Sequence, residues 1–139
     1  MAGEINTKMP EYVIHKIGLA LDTVDKTILK SKILILGLAY KKNVDDTRES
    51  PSLEIIHKLT KLGAYVECCD PYVNLFPKIK KYNIQLHTKK LDATILQNSD
   101  VVVLITDHDI FDYELIQKNA KIIVDTRGRF NKNKNIIKA

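Results

Sequence analysis

Three short polar segments hold the side chains of this 139-residue chain that could do chemistry. The first is Gly37-Leu38-Ala39-Tyr40-Lys41-Lys42-Asn43-Val44-Asp45-Asp46-Thr47-Arg48-Glu49-Ser50, the second Thr106-Asp107-His108-Asp109, the third Asp125-Thr126-Arg127-Gly128-Arg129. Each follows a strand-sized apolar run, and the chemistry they suit is anion binding. Lys41 and Arg127 supply cations that can converge on one anion if the preceding strands are parallel. Of the 22 basic residues only Arg48, Arg127 and Arg129 are arginine. In a chain that otherwise uses lysine, arginine marks positions where a planar fork can grip phosphate or carboxylate. The first segment carries one glycine where a dinucleotide turn would read G-x-G-x-x-G, and it is not a Walker A loop. An anion bound there must be held by side-chain cations rather than by a backbone cradle.

Other candidates are weaker. His108 sits between two aspartates, but its spacing fits no metal template, and it reads as a loop residue. Asp45-Asp46 resembles a magnesium or phospho-acceptor pair, yet it lies well past the strand end, where a network with Arg48 suits it better. Cys68 and Cys69 are adjacent in a predicted strand, so they point to opposite faces and read as structural thiols, with neither a mutual disulfide nor a metal site. His15, His57 and His87 are dispersed, and no catalytic triad can be assembled.

The elements that must position these segments alternate. Residues 11–29 are predicted helical, since Val13, Ile17, Leu21, Val24 and Ile28 form one apolar stripe. Pro10 suits the first turn of that helix and Thr7 its cap. The stripe is expected to face another domain or a second copy of the chain. Lys32 to Leu36 is a strand ending at Gly37. A helix opens at Ser50-Pro51, has Leu53, Ile56, Leu59 and Leu62 lining its faces, and stops at Gly63. Further strands are expected at Tyr65 to Cys69, Ile84 to Leu86, Asp100 to Ile105 and Lys121 to Val124. Helical stretches are expected at 75–82, Leu91 to Gln97 and Ile110 to Lys118. The Lys/Asn-rich tail beyond Phe130 is expected to fray. Five alternations of strand and helix predict an α/β fold, a Rossmann-like open parallel sheet with helices on both faces. In such a sheet ligands bind beyond the carboxyl ends of the strands.

Composition narrows the partners. The formal charge is +5, but the lysines are scattered, and the 6% aromatic content does not interleave with them as a single-strand binder requires. No nucleic-acid partner is expected. No apolar run reaches the roughly 20 residues of a membrane span, and no signal-peptide pattern opens the chain, so the expected location is cytoplasmic and away from membranes.

The run from Leu36 to Pro51 closely resembles the sequence that opens the UDP-binding domain of the UDP-glucose/GDP-mannose dehydrogenase family. Glu4-Ile5-Asn6, Met9-Pro10, Gly63-Ala64, Asp70-Pro71, Thr106-Asp107-His108 and Val124-Asp125-Thr126-Arg127 follow in that family's order. The resemblance implies an NAD-dependent nucleotide-sugar 6-dehydrogenase, which oxidises a sugar C6 hydroxyl to a carboxylate in two hydride transfers through a cysteine thioester. It implies that residues 1–30 end a central dimerisation helix and that residues 31–139 form the UDP-sugar-binding domain. It assigns Tyr40, Lys41 and Arg127 to the UDP moiety and Arg48 to NAD held mainly by an amino-terminal domain. That domain and the catalytic cysteine have no counterpart in these residues, so the chain alone is expected to be inactive. Its own amino-terminal domain and, through the 11–29 helix, a second subunit are the implied protein partners. The Asp-Asp and Asp-Thr-Arg-Gly versions of the motifs most resemble enzymes acting on UDP-N-acetylhexosamines. A stand-alone nucleotide-binding module with no catalytic role is the alternative.

Overall fold

The computed structural model describes residues 2–39, 42–43, 51–73 and 88–139, with side chains from residue 9 onward. Helix α1 (Ala2–Asp22) precedes strand β1 (Lys32–Leu36). Helix α2 (Pro51–Lys61), β2 (Tyr65–Cys69), α3 (Ala93–Asn98), β3 (Val101–Leu104), α4 (Tyr113–Asn119), β4 (Ile123–Asp125) and β5 (Ile136–Lys138) follow. The strands form one parallel sheet in the order β2-β1-β3-β4-β5. The order reverses between β1 and β3, so the crevice expected to take a ligand opens where their loops diverge.

Both faces of the sheet are covered, which explains why β3 is apolar at every position. Ile33, Ile35, Val101 and Val103 pack with Val13, Ile17 and Leu21 of α1 and Ile55, Ile56 and Leu59 of α2. Leu34, Leu36, Val102 and Leu104 pack on the opposite face with Leu96 of α3 and Ile116 of α4. Cys68 joins the first cluster and Cys69 the second, as their adjacency in a strand requires. Burial pushes both thiols up to about 12, with Asp70 and Glu67 adding to the rise at Cys68. They are neutral structural groups at physiological pH.

Three expectations change. First, the stripe on α1 does not lack a partner. Val13, Ile17 and Leu21 are fully buried against the chain's own sheet and α2. The helix is also displaced: it runs from Ala2, so Pro10 is interior to it and Thr7 does not mark its start. It ends at Asp22, where the Thr23 hydroxyl bonds the Ala20 carbonyl at 2.6 Å and Asp25 takes φ 58°. Val24 is consequently 47% exposed rather than part of the stripe.

Second, the tail does not fray. Ile136–Lys138 adds β5 in register with Ile123–Asp125, Ile136 is buried, and the Lys138 ammonium bonds Asp125 at 3.0 Å. The surrounding Lys and Asn residues mask a short β-branched pair that is sufficient for an edge strand.

Third, the two short helices begin later than the apolar pattern suggests. Asp92 and Asp112 cap them, accepting from the N–H groups of Ile95 at 2.8 Å and Leu115 at 3.0 Å. The expected strand at Ile84 to Leu86 and the helix or turn at 75–82 lie outside the described residues.

Gly37 turns the chain out of β1 with φ +94°. A Cβ there would meet the Thr106 Cβ at 2.5 Å and its backbone N and O at 2.6 Å. Gly37→Ala should therefore lower stability by about 2–5 kcal/mol, combining a forbidden backbone with overpacking. Urea denaturation is the measurement; an unchanged midpoint would show that the β1 and β3 ends are not tightly apposed.

Candidate anion-binding site

At the carboxyl edge of the sheet the loops following β1, β2 and β3 meet on one buried carboxylate. Asp70, the residue after β2, accepts from the Leu38 N–H at 2.7 Å and the Ala39 N–H at 3.2 Å on one oxygen. Its other oxygen accepts from the Tyr72 N–H at 2.8 Å. The His108 Nε2 lies 2.9 Å from the first oxygen, and both side chains are fully buried. Burial alone would raise the Asp70 pKa. The hydrogen bonds from His108, Leu38 and Tyr72 outweigh it and hold the carboxyl below its ordinary value.

The tautomer of His108 follows from its other partner. The Asn43 backbone N–H points at Nδ1 from 2.7 Å and can only donate. Nδ1 therefore carries the lone pair, and Nε2 carries the proton and donates it to Asp70. Asn43 holds φ 64°, and its amide makes a reciprocal pair with Asp109: Nδ2 donates to the carboxylate and Oδ1 accepts from the N–H, both at 2.9 Å. Thr106 adds a hydroxyl bond to the Ala39 carbonyl at 2.7 Å. Tyr72 and Phe111 enclose the imidazole, with ring centroids 4.7 and 5.5 Å away. Sequence reasoning treated His108 as an ordinary loop residue and Asp70 only as a strand end. It missed that they form the hub of this edge.

This arrangement decides what kind of ligand the edge can take. In a dinucleotide fold the backbone N–H groups of the first loop face a pyrophosphate. Here those of Leu38 and Ala39 are spent on the chain's own carboxylate. The described residues consequently do not fit the pyrophosphate of NAD at this turn. Among the described residues, what this edge offers an anion in place of those two N–H groups is a side-chain cation.

Arg127 is one such cation. It is exposed just past β4, its backbone N–H on Asp125 at 2.9 Å and its Nε on the Ile105 carbonyl at 2.8 Å. These two bonds orient the guanidinium at the carboxyl edge. The Asp125 beneath it is fully buried; burial would raise its pKa, but the N–H groups of Phe130 and Arg127 and the Lys138 ammonium hold it down. Arg129 is engaged otherwise, 3.0 Å from Asp109, 3.4 Å from Asp107 and stacked over Tyr113. Its Nη1 alone meets both carboxylates, so Arg129 pairs with acidic side chains without using the guanidinium as a two-pronged fork. The expected partners Tyr40 and Lys41, the NAD-directed Arg48, and Asp45-Asp46 lie outside the described residues. An open cleft of about 410 Å³ lies beyond β2, lined by Cys69, Asp70, Lys89, Lys90 and Phe111 among others, but Arg127 does not line it. Among the described residues no cluster of His, Cys, Asp or Glu could hold a metal ion, and no helix is long and apolar enough to cross a membrane.

Asp70→Asn places an amide N–H against backbone donors in a buried site. It should cost about 2–4 kcal/mol of stability at neutral pH. A depressed carboxyl pKa contributes stability that is present above the unfolded value, near 3.9, and is lost as pH falls through the folded value. The gap between Asp70→Asn and the wild type should thus narrow as pH falls below about 4. Chemical denaturation across pH tests both statements; a gap independent of pH would show that Asp70 is not held as a buried carboxylate.

The profile of the UDP-glucose/GDP-mannose dehydrogenase family, UDP binding domain, matches residues 34–132. A UDP-N-acetyl-D-mannosamine dehydrogenase of Methanococcus vannielii is 37% identical over 140 residues, covering 95% of this chain and 30% of that protein. An NDP-N-acetyl-D-galactosaminuronic acid dehydrogenase of Ralstonia nicotianae is 30% identical over 135 residues, covering 94% of this chain and 29% of its own length. The solved UDP-D-ManNAc dehydrogenase of Pyrococcus horikoshii superposes with a TM-score of 0.78 at 27% identity, over 97% of this chain and 31% of that one. The chain thus spans 30% or so of the length of such relatives. Sequence and architecture agree, and the chain belongs to the UDP-glucose/GDP-mannose dehydrogenase family, within its UDP binding domain.

Proposed function

We propose that this chain is the UDP-sugar-binding part of an NAD-dependent nucleotide-sugar 6-dehydrogenase that oxidises the C6 hydroxyl of a UDP-N-acetylhexosamine to the uronate. The observation that carries this reading is the family match through residues 34–132, combined with amides of the β1 loop that are consumed internally. A diphosphate at this edge must meet cations instead. In this reading Arg127 grips the diphosphate from the end of β4, and Lys41 and Tyr40 contact the UDP moiety from the β1 loop. Arg48 reaches NAD, which is held mainly by a separate amino-terminal domain, together with the cysteine that forms the thioester. The N-acetylhexosamine assignment is supported by relatives such as the Methanococcus enzyme, whose name specifies UDP-N-acetyl-D-mannosamine. The enzyme works in the cytoplasm.

Residues 1–30 are the end of a central helical region and 31–139 the sugar-nucleotide domain. Because Val13, Ile17 and Leu21 are buried within the chain, a second subunit would meet the other side of α1. There Tyr12 is 49% and Leu19 44% exposed.

Two outcomes are expected. The 139-residue chain alone gives no reduced nicotinamide absorbance with NAD and any UDP-sugar; turnover above a blank would overturn the division of labour proposed here. In calorimetric titration with UDP, Arg127→Ala and Lys41→Ala each weaken binding roughly ten- to a hundredfold, the size of one charge-assisted hydrogen bond. Arg127→Lys costs nearly as much as Arg127→Ala, since an ammonium cannot reproduce a fork. Arg48→Ala leaves UDP binding by this chain unchanged. A larger loss for Arg48→Ala than for Arg127→Ala would reverse the assigned roles.

A further inference from the structure

We propose that Lys138 of β5 is a positioning residue for the nucleotide site: through the buried Asp125 carboxylate it holds the turn after β4, leaving both Nη nitrogens of Arg127 to grip a phosphate end-on. The inference rests on the reading that Arg127 meets the diphosphate of UDP. Asp125 is fully buried and ties this turn at both ends. One of its oxygens accepts from the Arg127 N–H and the other from the Phe130 N–H, both at 2.9 Å. The second oxygen also receives the Lys138 ammonium at 3.0 Å, and the same ammonium donates to the Phe130 carbonyl. Lys138 therefore joins the carboxylate at the start of the turn to the backbone at its end.

Three features mark this as a positioning device rather than ordinary turn packing. Arg127 is exposed, yet its Nε is spent on the Ile105 carbonyl at 2.8 Å. That bond takes up the edge of the guanidinium where Nε lies. The end that carries both Nη nitrogens has no partner among the described residues, and it presents a fork to two phosphate oxygens. The turn also offers one arginine outward and withholds the other, since Arg129 is held by Asp109 at 3.0 Å and by Asp107 at 3.4 Å and lies over the Tyr113 ring. Finally, Lys138 balances the charge. A buried carboxylate without a cation would set a full negative charge beneath the place where a phosphate arrives, and like charges near a desolvated site repel. With Lys138 paired to Asp125 the two charges offset each other, and Arg127 keeps its own for the ligand.

The same geometry separates a positioning role from a structural one. The Lys138 side chain is 44% exposed, so Lys138→Met removes the ammonium without opening a cavity. If Lys138 only held β5 in place, its loss would weaken binding whether or not Arg127 were present. If it acts through Arg127, its loss has no further effect on ligand once Arg127 is gone, which a double-mutant cycle measures directly.

The experiment titrates the 139-residue chain with UDP by calorimetry and measures urea stability in parallel. Lys138→Met should bind UDP about three- to tenfold more weakly than wild type, a smaller loss than for Arg127→Ala because the guanidinium is loosened rather than removed. In the Arg127→Ala background the same substitution should change affinity by less than about twofold. Lys138→Arg, which keeps a cation on Asp125, should bind within about twofold of wild type. The chain has only three arginines, so the Nε–Hε signal that disappears in Arg127→Ala identifies that side chain. Its heteronuclear NOE should be that of an ordered group in wild type and should fall in Lys138→Met.

The proposal is overturned if Lys138→Met binds UDP like wild type, if it weakens binding equally with and without Arg127, or if the Arg127 Nε is mobile in wild type. Should Lys138→Met fail to fold, the neutral but polar Lys138→Gln takes its place in the same cycle and is held to the same outcomes, while the wild-type Nε measurement stands on its own. The underlying reading fails separately: wild type that does not bind UDP, or Arg127→Ala that binds unimpaired, removes the nucleotide site itself and this proposal with it.

Discussion

A carboxylate sealed from water at the end of β2 holds this sheet edge together. Burying a charge is costly unless hydrogen bonds replace its hydration. Asp70 meets that demand with the N–H groups of Leu38, Ala39 and Tyr72 and with His108 Nε2. These donors come from three different turns, so satisfying one charge draws together the loops after β1, β2 and β3. The close approach of Gly37 to Thr106 belongs to the same constraint, since a side chain at Gly37 would push the β1 loop off Thr106 and away from its carboxylate. Local geometry and electrostatics thus demand the same backbone path.

The consequence for ligand chemistry is a reversal of the usual dinucleotide arrangement. A glycine-rich first loop leaves its N–H groups unpaired until a phosphate arrives. In this chain the protein supplies its own anion, and a bound phosphate has no claim on those N–H groups. The end of β4 repeats the solution: Asp125, also fully buried, takes the N–H groups of Arg127 and Phe130 and the Lys138 ammonium. Two strand ends are therefore capped internally. What reaches outward past β4 is Arg127, whose backbone and Nε are already fixed. Selectivity at such an edge depends on where cations stand, which the internal carboxylates determine at one remove.

The sequence made some of this legible and hid the rest for physical reasons. Strands buried on both faces announce themselves as continuous apolar runs, and Ile33 to Leu36 and Val101 to Leu104 were readable on that ground. Pro51 and Gly63 marked the ends of α2 because their backbone limits act locally. The separation of Cys68 and Cys69 followed from strand alternation alone. By contrast, Asp70 and His108 stand 38 residues apart and share no local pattern. Only the register of β1, β2 and β3 brings them together, and no periodicity encodes it. The partner of α1 was hidden likewise: an apolar stripe states that a helix is covered, not by what. The tail misled because composition was averaged over Lys and Asn, while two isoleucines and one lysine paired with a buried aspartate suffice for β5.

The hub's order is set as the chain folds. Ordering a loop on binding costs conformational entropy that is subtracted from every contact the loop makes. Here the cost of fixing Leu38, Ala39 and Asn43 is met during folding, offset by burial of Leu38 and Ala39 and by the Asp70 and His108 bonds. The left-handed backbone of Asn43 makes the same point from the other direction. A strained conformation persists only where the surroundings over-determine it, and Asn43 is held at its backbone by His108 and at its side chain by Asp109.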